Sequence, residues 1–137
     1  MRPQAAARPL TRLILVRHAK AEPGEPDALR PLSPKGRKRA RELGKELATR
    51  HPDAVVSSPL LRARETAKPI AKAAGIELVV DERLAPGATV GDLRAAVAGR
   101  GETVVTVGHV PDCEEIYLAL TGEERHFATG AYAEVEL

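Results

Sequence analysis

The chain has 137 residues, of which 43% are apolar and 29% charged, with a formal net charge of +2. That size and apolar share suit one globular domain with a single core and exclude wholesale disorder, while the near balance of charge excludes general adhesion to nucleic acid or membranes. No apolar stretch approaches a membrane span, and the single cysteine, Cys113, excludes an internal disulfide and fits a reducing cytoplasm.

Residues 1–11, in MRPQAAARPLTR, read as a short lead-in rather than a signal peptide; an Arg-rich, acid-free mitochondrial presequence is the alternative. The domain proper spans 12–137. RLILV (Arg12–Val16) is a short continuous apolar run, the mark of a strand buried on both faces. A polar, Pro-rich loop leads to SPKGRKRARELGKELATR, a helix with Ser33 as N-cap, Pro34 at the first helical position and Leu43 and Leu47 on one face. Gly36 and Gly44 weaken it on propensity. DAVVSS (Asp53–Ser58) is a second strand, and Ser58-Pro59 repeats the cap-then-proline start of a helix that stops at Gly75. Pro69 is expected to kink or restart that helix. IELVV (Ile76–Val80) is a third strand, Thr89 and Asp92 begin a further helix as a capping-box variant, and ETVVTVG (Glu102–Gly108) is a fourth strand. PDCEEIYLALTG forms a short helix closed by Gly122, and GAYAEVEL alternates like a partly exposed final strand. Strands separated by helices in this rhythm give a three-layer α/β/α domain around a central, mostly parallel sheet.

Ligands of such sheets sit outside the carboxyl ends of the strands. Arg17 and His18 directly follow the first strand, His109 the fourth, and Arg62 lies in the first turns of the helix after the second. Two histidines and two arginines are thus expected at one edge. The other Arg-His pairs have no such place: Arg50-His51 ends a helix and Arg125-His126 lies in a loop. A neutral imidazole can attack phosphorus and form a phosphohistidine intermediate, and guanidinium groups bind phosphate oxygens in paired, charge-assisted hydrogen bonds. Cys/His metal spacing, a tight Asp cluster and a GxxxxGK[ST] loop are all absent from the sequence.

The series LVRHAK, RPLSPKG, SSPLLRARETA, LAPGA and VGHVPD, in that order from about Leu13 to the final strand, resembles the histidine phosphatase superfamily (the phosphoglycerate-mutase-like proteins). Within it the series is most similar to the small SixA-type phosphohistidine phosphatases. The resemblance implies that His18 is the phospho-accepting nucleophile, that Arg17 and Arg62 bind phosphate, and that His109 is the second pocket histidine. It also implies a place for Arg30 at the substrate mouth and no metal or organic cofactor. Two positions depart from the family. Ala19 stands where a glycine usually follows the nucleophile. Larger members place a general-acid glutamate after the third strand, whereas here Glu82 precedes Leu84 and APGA follows. Glu82 therefore has two readings, a proton donor or a solvated loop carboxylate.

The expected activity is a cofactor-independent phosphatase acting on phosphohistidine in a signalling protein. The alternatives are hydrolysis of a small phosphomonoester and a non-catalytic module that binds phosphate or a phosphoprotein. Neither a nucleic acid nor a membrane is expected as partner. The basic run Lys35, Arg37, Lys38, Arg39 and Arg41 reads as a solvated helix face, with an acidic protein or nucleic acid as alternative partners. Cys113 reads as packing.

Overall fold

In a computed structural model that describes residues 9–137, strands and helices alternate along the chain. They are β1 (Arg12–Arg17), α1 (Pro34–Ala48), β2 (Ala54–Ser57), α2 (Leu61–Ala74), β3 (Leu78–Val80), α3 (Val90–Val97), β4 (Thr103–Gly108), α4 (Asp112–Thr121) and β5 (Tyr132–Glu136). Most of the expected lead-in, residues 1–8, lies outside the described residues.

The sheet order is β3-β2-β4-β1-β5. β1, β2, β3 and β4 run parallel and β5 pairs antiparallel with β1. β1 and β4, the six-residue strands at the centre, are buried through four consecutive positions, which is why they read as unbroken apolar runs. β5, at the edge, alternates buried and exposed, and its sequence alternates with it. Ile14, Val16, Val55, Val105 and Val107 face α1 and α2, where they meet Leu43, Leu47, Ala67 and Ile70. Leu13, Leu15, Val56 and Val104 face α3 and α4, where Leu93, Val97, Ile116 and Tyr117 cover them together with Phe127 from the segment before β5. The result is one α/β domain of three layers.

Local signals behave as their chemistry requires at most boundaries. Ser33 caps α1, its side chain accepting from the Gly36 amide, and Gly75 and Gly122 end α2 and α4 in left-handed conformations. Thr89 and Asp92 form a complete capping box. The glycines of α1 mark close approaches: a side chain at Gly36 would overlap the Lys20 carbonyl, and one at Gly44 would place its Cβ 2.7 Å from the Pro69 carbonyl oxygen on α2.

Two expectations about α2 are corrected. Its N-cap is Leu60, extended and without a side-chain bond, rather than Ser58, whose hydroxyl meets the Leu60 amide and His109 instead of the first turn of the helix. Nor does α2 restart at Pro69. It runs unbroken through that residue, since the buried face of Ala63, Ala67, Ile70 and Ala71 holds both halves against the sheet and α1 despite one missing backbone donor. Among the described residues no helix is long and apolar enough to cross a membrane.

Candidate active site

Parallel register brings the carboxyl ends of β1, β2 and β4 level, with Arg17 beside Gly108 and Ser57 beside Val107. The segment after β1 is then fixed from three sides. The His18 amide donates to the Gly108 carbonyl at 3.0 Å, the His18 carbonyl accepts from the Gly130 amide at 2.9 Å, and the Ala19 amide donates to Thr66 Oγ1 at 3.0 Å. Thr66 in turn donates to the Arg62 carbonyl at 2.8 Å, tying this turn to α2. Ala19 is fully buried against Leu32 and Ala40 with a negative φ, so the turn needs no glycine here.

His18 and His109 are both buried, their ring centroids 5.3 Å apart. The Nδ1 of His18 lies 2.7 Å from the Ala19 carbonyl oxygen. A carbonyl can only accept, so Nδ1 carries the proton and Nε2 keeps its lone pair. Burial, reinforced by the positive charges of Arg62, Arg17 and Arg30, pushes the His18 pKa down to about 4 against the opposing Ala19 bond. His109 is likewise pushed down to about 4, by burial first and then by neighbouring His18 and Arg62. Both rings are therefore neutral at pH 7.

The Nε2 of His109 is 2.7 Å from Ser58 Oγ. That oxygen also accepts from the Leu60 amide at 3.2 Å, and a hydroxyl can accept there while donating its own proton to the imidazole. Such a bond places the His109 proton on Nδ1. This atom, like Arg17 Nε, is buried without a hydrogen-bond partner among the described residues. Unpaired buried donors are costly and mark where an acceptor would be stabilised.

Arg17 ends β1 and its Nη1 donates to the Phe127 carbonyl at 2.9 Å. Arg62 is 7% exposed, far from a solvated helix residue. Its guanidinium meets Asp27, Nη1 donating to the backbone carbonyl at 3.0 Å and Nη2 to Oδ2 at 3.2 Å. Arg30 Nη1 reaches Asp27 Oδ1 at 3.0 Å while its Nε holds the Glu22 carbonyl at 2.8 Å. One exposed carboxylate thus bridges two arginines at the mouth.

Arg17, His18, Arg30, Arg62 and His109 share the wall of a cavity of ≈ 330 Å³, together with Lys20 and Pro86, and that wall holds no carboxylate. Glu82 sits exposed on a short 3₁₀ turn after β3 and does not line the cavity; Pro86, from the APGA stretch, does. The other Arg-His pairs lie apart: Arg50 ion-pairs with Glu134 at 3.1 Å, and His126 Nδ1 lies 3.0 Å from Glu114 Oε2. Cys113 is buried and its thiol pushed up to about 12 by burial, in keeping with packing. Among the described residues no group of three His, Cys, Asp or Glu could hold a metal ion. Sequence reading missed Asp27, Ser58 and Thr66. Ser58 follows the end of β2 and so obeys the same strand-end rule as the histidines.

Comparison with known proteins agrees with the fold and with the family that the sequence resembles. The family model of the histidine phosphatase superfamily (branch 1) matches residues 13–87. The structure of SixA from Agrobacterium tumefaciens superposes with a TM-score of 0.80 at 30% identity, covering 94% of this chain and 93% of that one. A structure of the protein histidine phosphatase SixA complexed with tungstate gives a TM-score of 0.80 at 26% identity, covering 92% and 88%. Among curated proteins, phosphoserine phosphatase 1 of Hydrogenobacter thermophilus is 38% identical over 84 residues, 55% of this chain and 38% of the relative, so the chain spans about two fifths of its length. With more than half its length matched by that family model, this chain belongs to the histidine phosphatase superfamily.

Proposed function

We propose that the chain is a cofactor-independent phosphatase that works through phospho-His18 and takes phosphohistidine in a protein as its substrate. The observation that carries this reading is the state of His18: neutral at pH 7, its proton held on Nδ1 by Ala19, on a cavity wall with three arginines and no carboxylate. In the first step Nε2 attacks phosphorus, the new N–P bond forms, and the substrate's bond from phosphorus to its leaving atom breaks. Arg17, Arg62 and His109 hold the phosphoryl oxygens, and an oxyanion there supplies the acceptor that Arg17 Nε and His109 Nδ1 lack. Water then attacks the phosphorus of phospho-His18, releasing phosphate and the free imidazole. Tungstate, a tetrahedral oxyanion like phosphate, is bound by SixA, to which this chain is similar.

The lack of a carboxylate on the wall favours a leaving group that needs no proton donor from the protein. A phosphorylated imidazole takes a proton from water on its far nitrogen, with a pKa of about 6.5, and departs as the neutral ring far more readily than a serine alkoxide. Glu82 belongs with the solvated loop carboxylates in this reading. A phosphomonoesterase is the second reading, favoured by the likeness to phosphoserine phosphatase 1. Assays with phosphohistidine, phosphoserine and an aryl phosphate, with mass-spectrometric trapping of the phosphoenzyme, separate them. The expected result is fastest turnover of phosphohistidine and an acid-labile phosphoryl group on His18. Faster turnover of phosphoserine transfers the case to the second reading, and turnover of none of the three overturns both.

A further inference from the structure

The balanced net charge conceals a separation. α1 and α2 together carry ten Lys and Arg against three Glu, whereas α4 carries three acidic residues and no basic one. The basic run of α1 lies directly beside the catalytic cavity. An open depression of ≈ 420 Å³ is walled by Lys20, Lys35, Lys38 and Arg39, with Glu42 as its single carboxylate, and it shares Lys20 and Thr129 with the cavity that holds His18. The adjacency is built in: Gly36 lets the first turn of α1 sit on the Lys20 carbonyl, and the Ser33 amide and hydroxyl both donate to that same oxygen.

These cations are largely uncompensated. Of the four, only Arg39 makes an ion pair among the described residues, to Glu42 at 3.7 Å. Lys35 and Lys38 are exposed and one turn apart, an arrangement that weakens a helix on its own. Arg37, Arg41 and Lys45 continue the charge round α1 into a groove against α2, where Lys68 and Lys72 face them and Glu65 is the single acid.

We propose that the cationic face of α1 beside the cavity, centred on Lys35 and Lys38, docks an acidic surface of the phosphoprotein that presents its phosphohistidine to His18. This rests on the phosphatase reading and adds a substrate class to it. Charge complementarity selects an acidic partner, and extent selects a protein: the fifteen residues of α1 run for about 22 Å, beyond the reach of a small phosphate ester seated on His18. With three aromatic residues in the whole chain, base stacking on a single-stranded nucleic acid has little to use. Rim charges of this kind act through encounter and KM, in a salt-dependent way.

The test compares the full chain with a Lys35→Glu, Lys38→Glu variant on three probes. These are an aryl phosphate, a synthetic phosphohistidine peptide flanked by Asp and Glu, and the same peptide flanked by Ser and Asn. Unchanged aryl phosphate turnover shows that the variant is folded with an intact cavity. The expected result is that kcat/KM for the acidic peptide falls about tenfold through KM, that the loss shrinks in high salt, and that the neutral peptide changes less than twofold. Equal losses on both peptides, or none on either, overturn the proposal. So does stronger competition by an oligonucleotide of matched charge than by the unphosphorylated acidic peptide. Fluorescence anisotropy of the unphosphorylated acidic peptide reads the surface without turnover. If the wild-type chain hydrolyses none of the probes, the phosphatase reading fails, and anisotropy still decides separately whether Lys35 and Lys38 bind acidic protein.

Discussion

The two ends of the sheet treat polar groups in opposite ways. At the amino ends of the strands they are paired. Arg12 Nε reaches Glu136 Oε1 at 2.8 Å across the β1–β5 pair, and Asp53 Oδ2 accepts from the Glu102 and Thr103 amides at 2.9 and 3.0 Å. At the carboxyl ends, two neutral histidines sit buried among arginines, and Arg17 Nε and His109 Nδ1 have no partner among the described residues. One end is arranged to hold strands together. The other leaves donors unmet in the folded chain, which costs stability and suits a pocket meant for an oxyanion. Substitutions should therefore separate: turnover should respond at one end and melting temperature at the other.

The sharpest division is expected from His18→Ala. Phosphatase turnover should fall about 10⁴-fold or more, since the substitution removes the imidazole that takes the phosphoryl group in the proposed mechanism. Melting temperature should move by less than about 4 °C, the shift that ~1 kcal/mol produces in a domain of this size. A large loss of stability with residual turnover would mean that His18 is a core histidine and that the two ends do not differ as described.

The acid limb offers a second separation. His18 and His109 have folded pKa values of about 4, below the ordinary 6.5. Between those values the unfolded chain binds more protons than the folded one. The stability linked to burying neutral rings is therefore complete above pH 6.5 and is lost as pH falls towards 4, by at most about 1.4 kcal/mol per pH unit for each histidine. Denaturant titrations at several pH values should show this loss, and it should be shallower in His18→Ala. In the same range kcat/KM should keep its neutral-pH value down to about pH 5, because His18, the proposed nucleophile, is not yet protonated. An acid limb centred near 6.5 would contradict the burial that distinguishes this end.

Gly101→Ala probes the other end. Gly101 has a φ of +125° and a side chain there would overlap Asp53. The substitution should lower stability by roughly 2 kcal/mol, from backbone strain and disturbance of the Asp53 clamp, with kcat/KM within twofold of wild type. Ser58→Ala should do the reverse on a smaller scale. Without the Ser58 hydroxyl, His109 loses the bond that places its proton on Nδ1, and kcat should fall about tenfold with KM little changed. Ser58→Thr, which keeps the hydroxyl, should recover part of the loss.

These residues also show what the sequence could and could not say. The central strands were legible because burial on both faces demands unbroken apolar runs, and His18 and His109 were legible because each directly follows such a run. Ser58 was misassigned because a serine before a proline satisfies a helix cap on local grounds, while its actual partner, His109, is 51 residues away. Asp27 was invisible for a related reason. It lies in a Pro-rich loop with no periodicity, and its contacts with Arg30 and Arg62 exist only once a short 3₁₀ turn at Asp27–Leu29 aims it at the cavity mouth. The strand order was equally unavailable, since placing β4 between β2 and β1 is decided by packing of whole layers rather than by any local pattern.

The smallest expected effect belongs to Asp27→Asn, which tests whether the mouth of the cavity is held closed to anions by its own carboxylate. Asp27 accepts from Arg30 and Arg62, and its carboxyl is held below the usual range chiefly by the Arg30 hydrogen bond. An arriving phosphoryl group competes with it for both guanidinium groups. Asparagine keeps the size and one acceptor but removes the charge, so KM for an aryl phosphate should fall, by only about threefold because the carboxylate is exposed and screened. kcat should hold, because the arginines still stabilise the reacting phosphoryl group. If KM rises instead, Asp27 is needed to orient Arg62 in the way Glu22 orients Arg30, and the mouth belongs with the fully paired end of the sheet rather than with the unmet one.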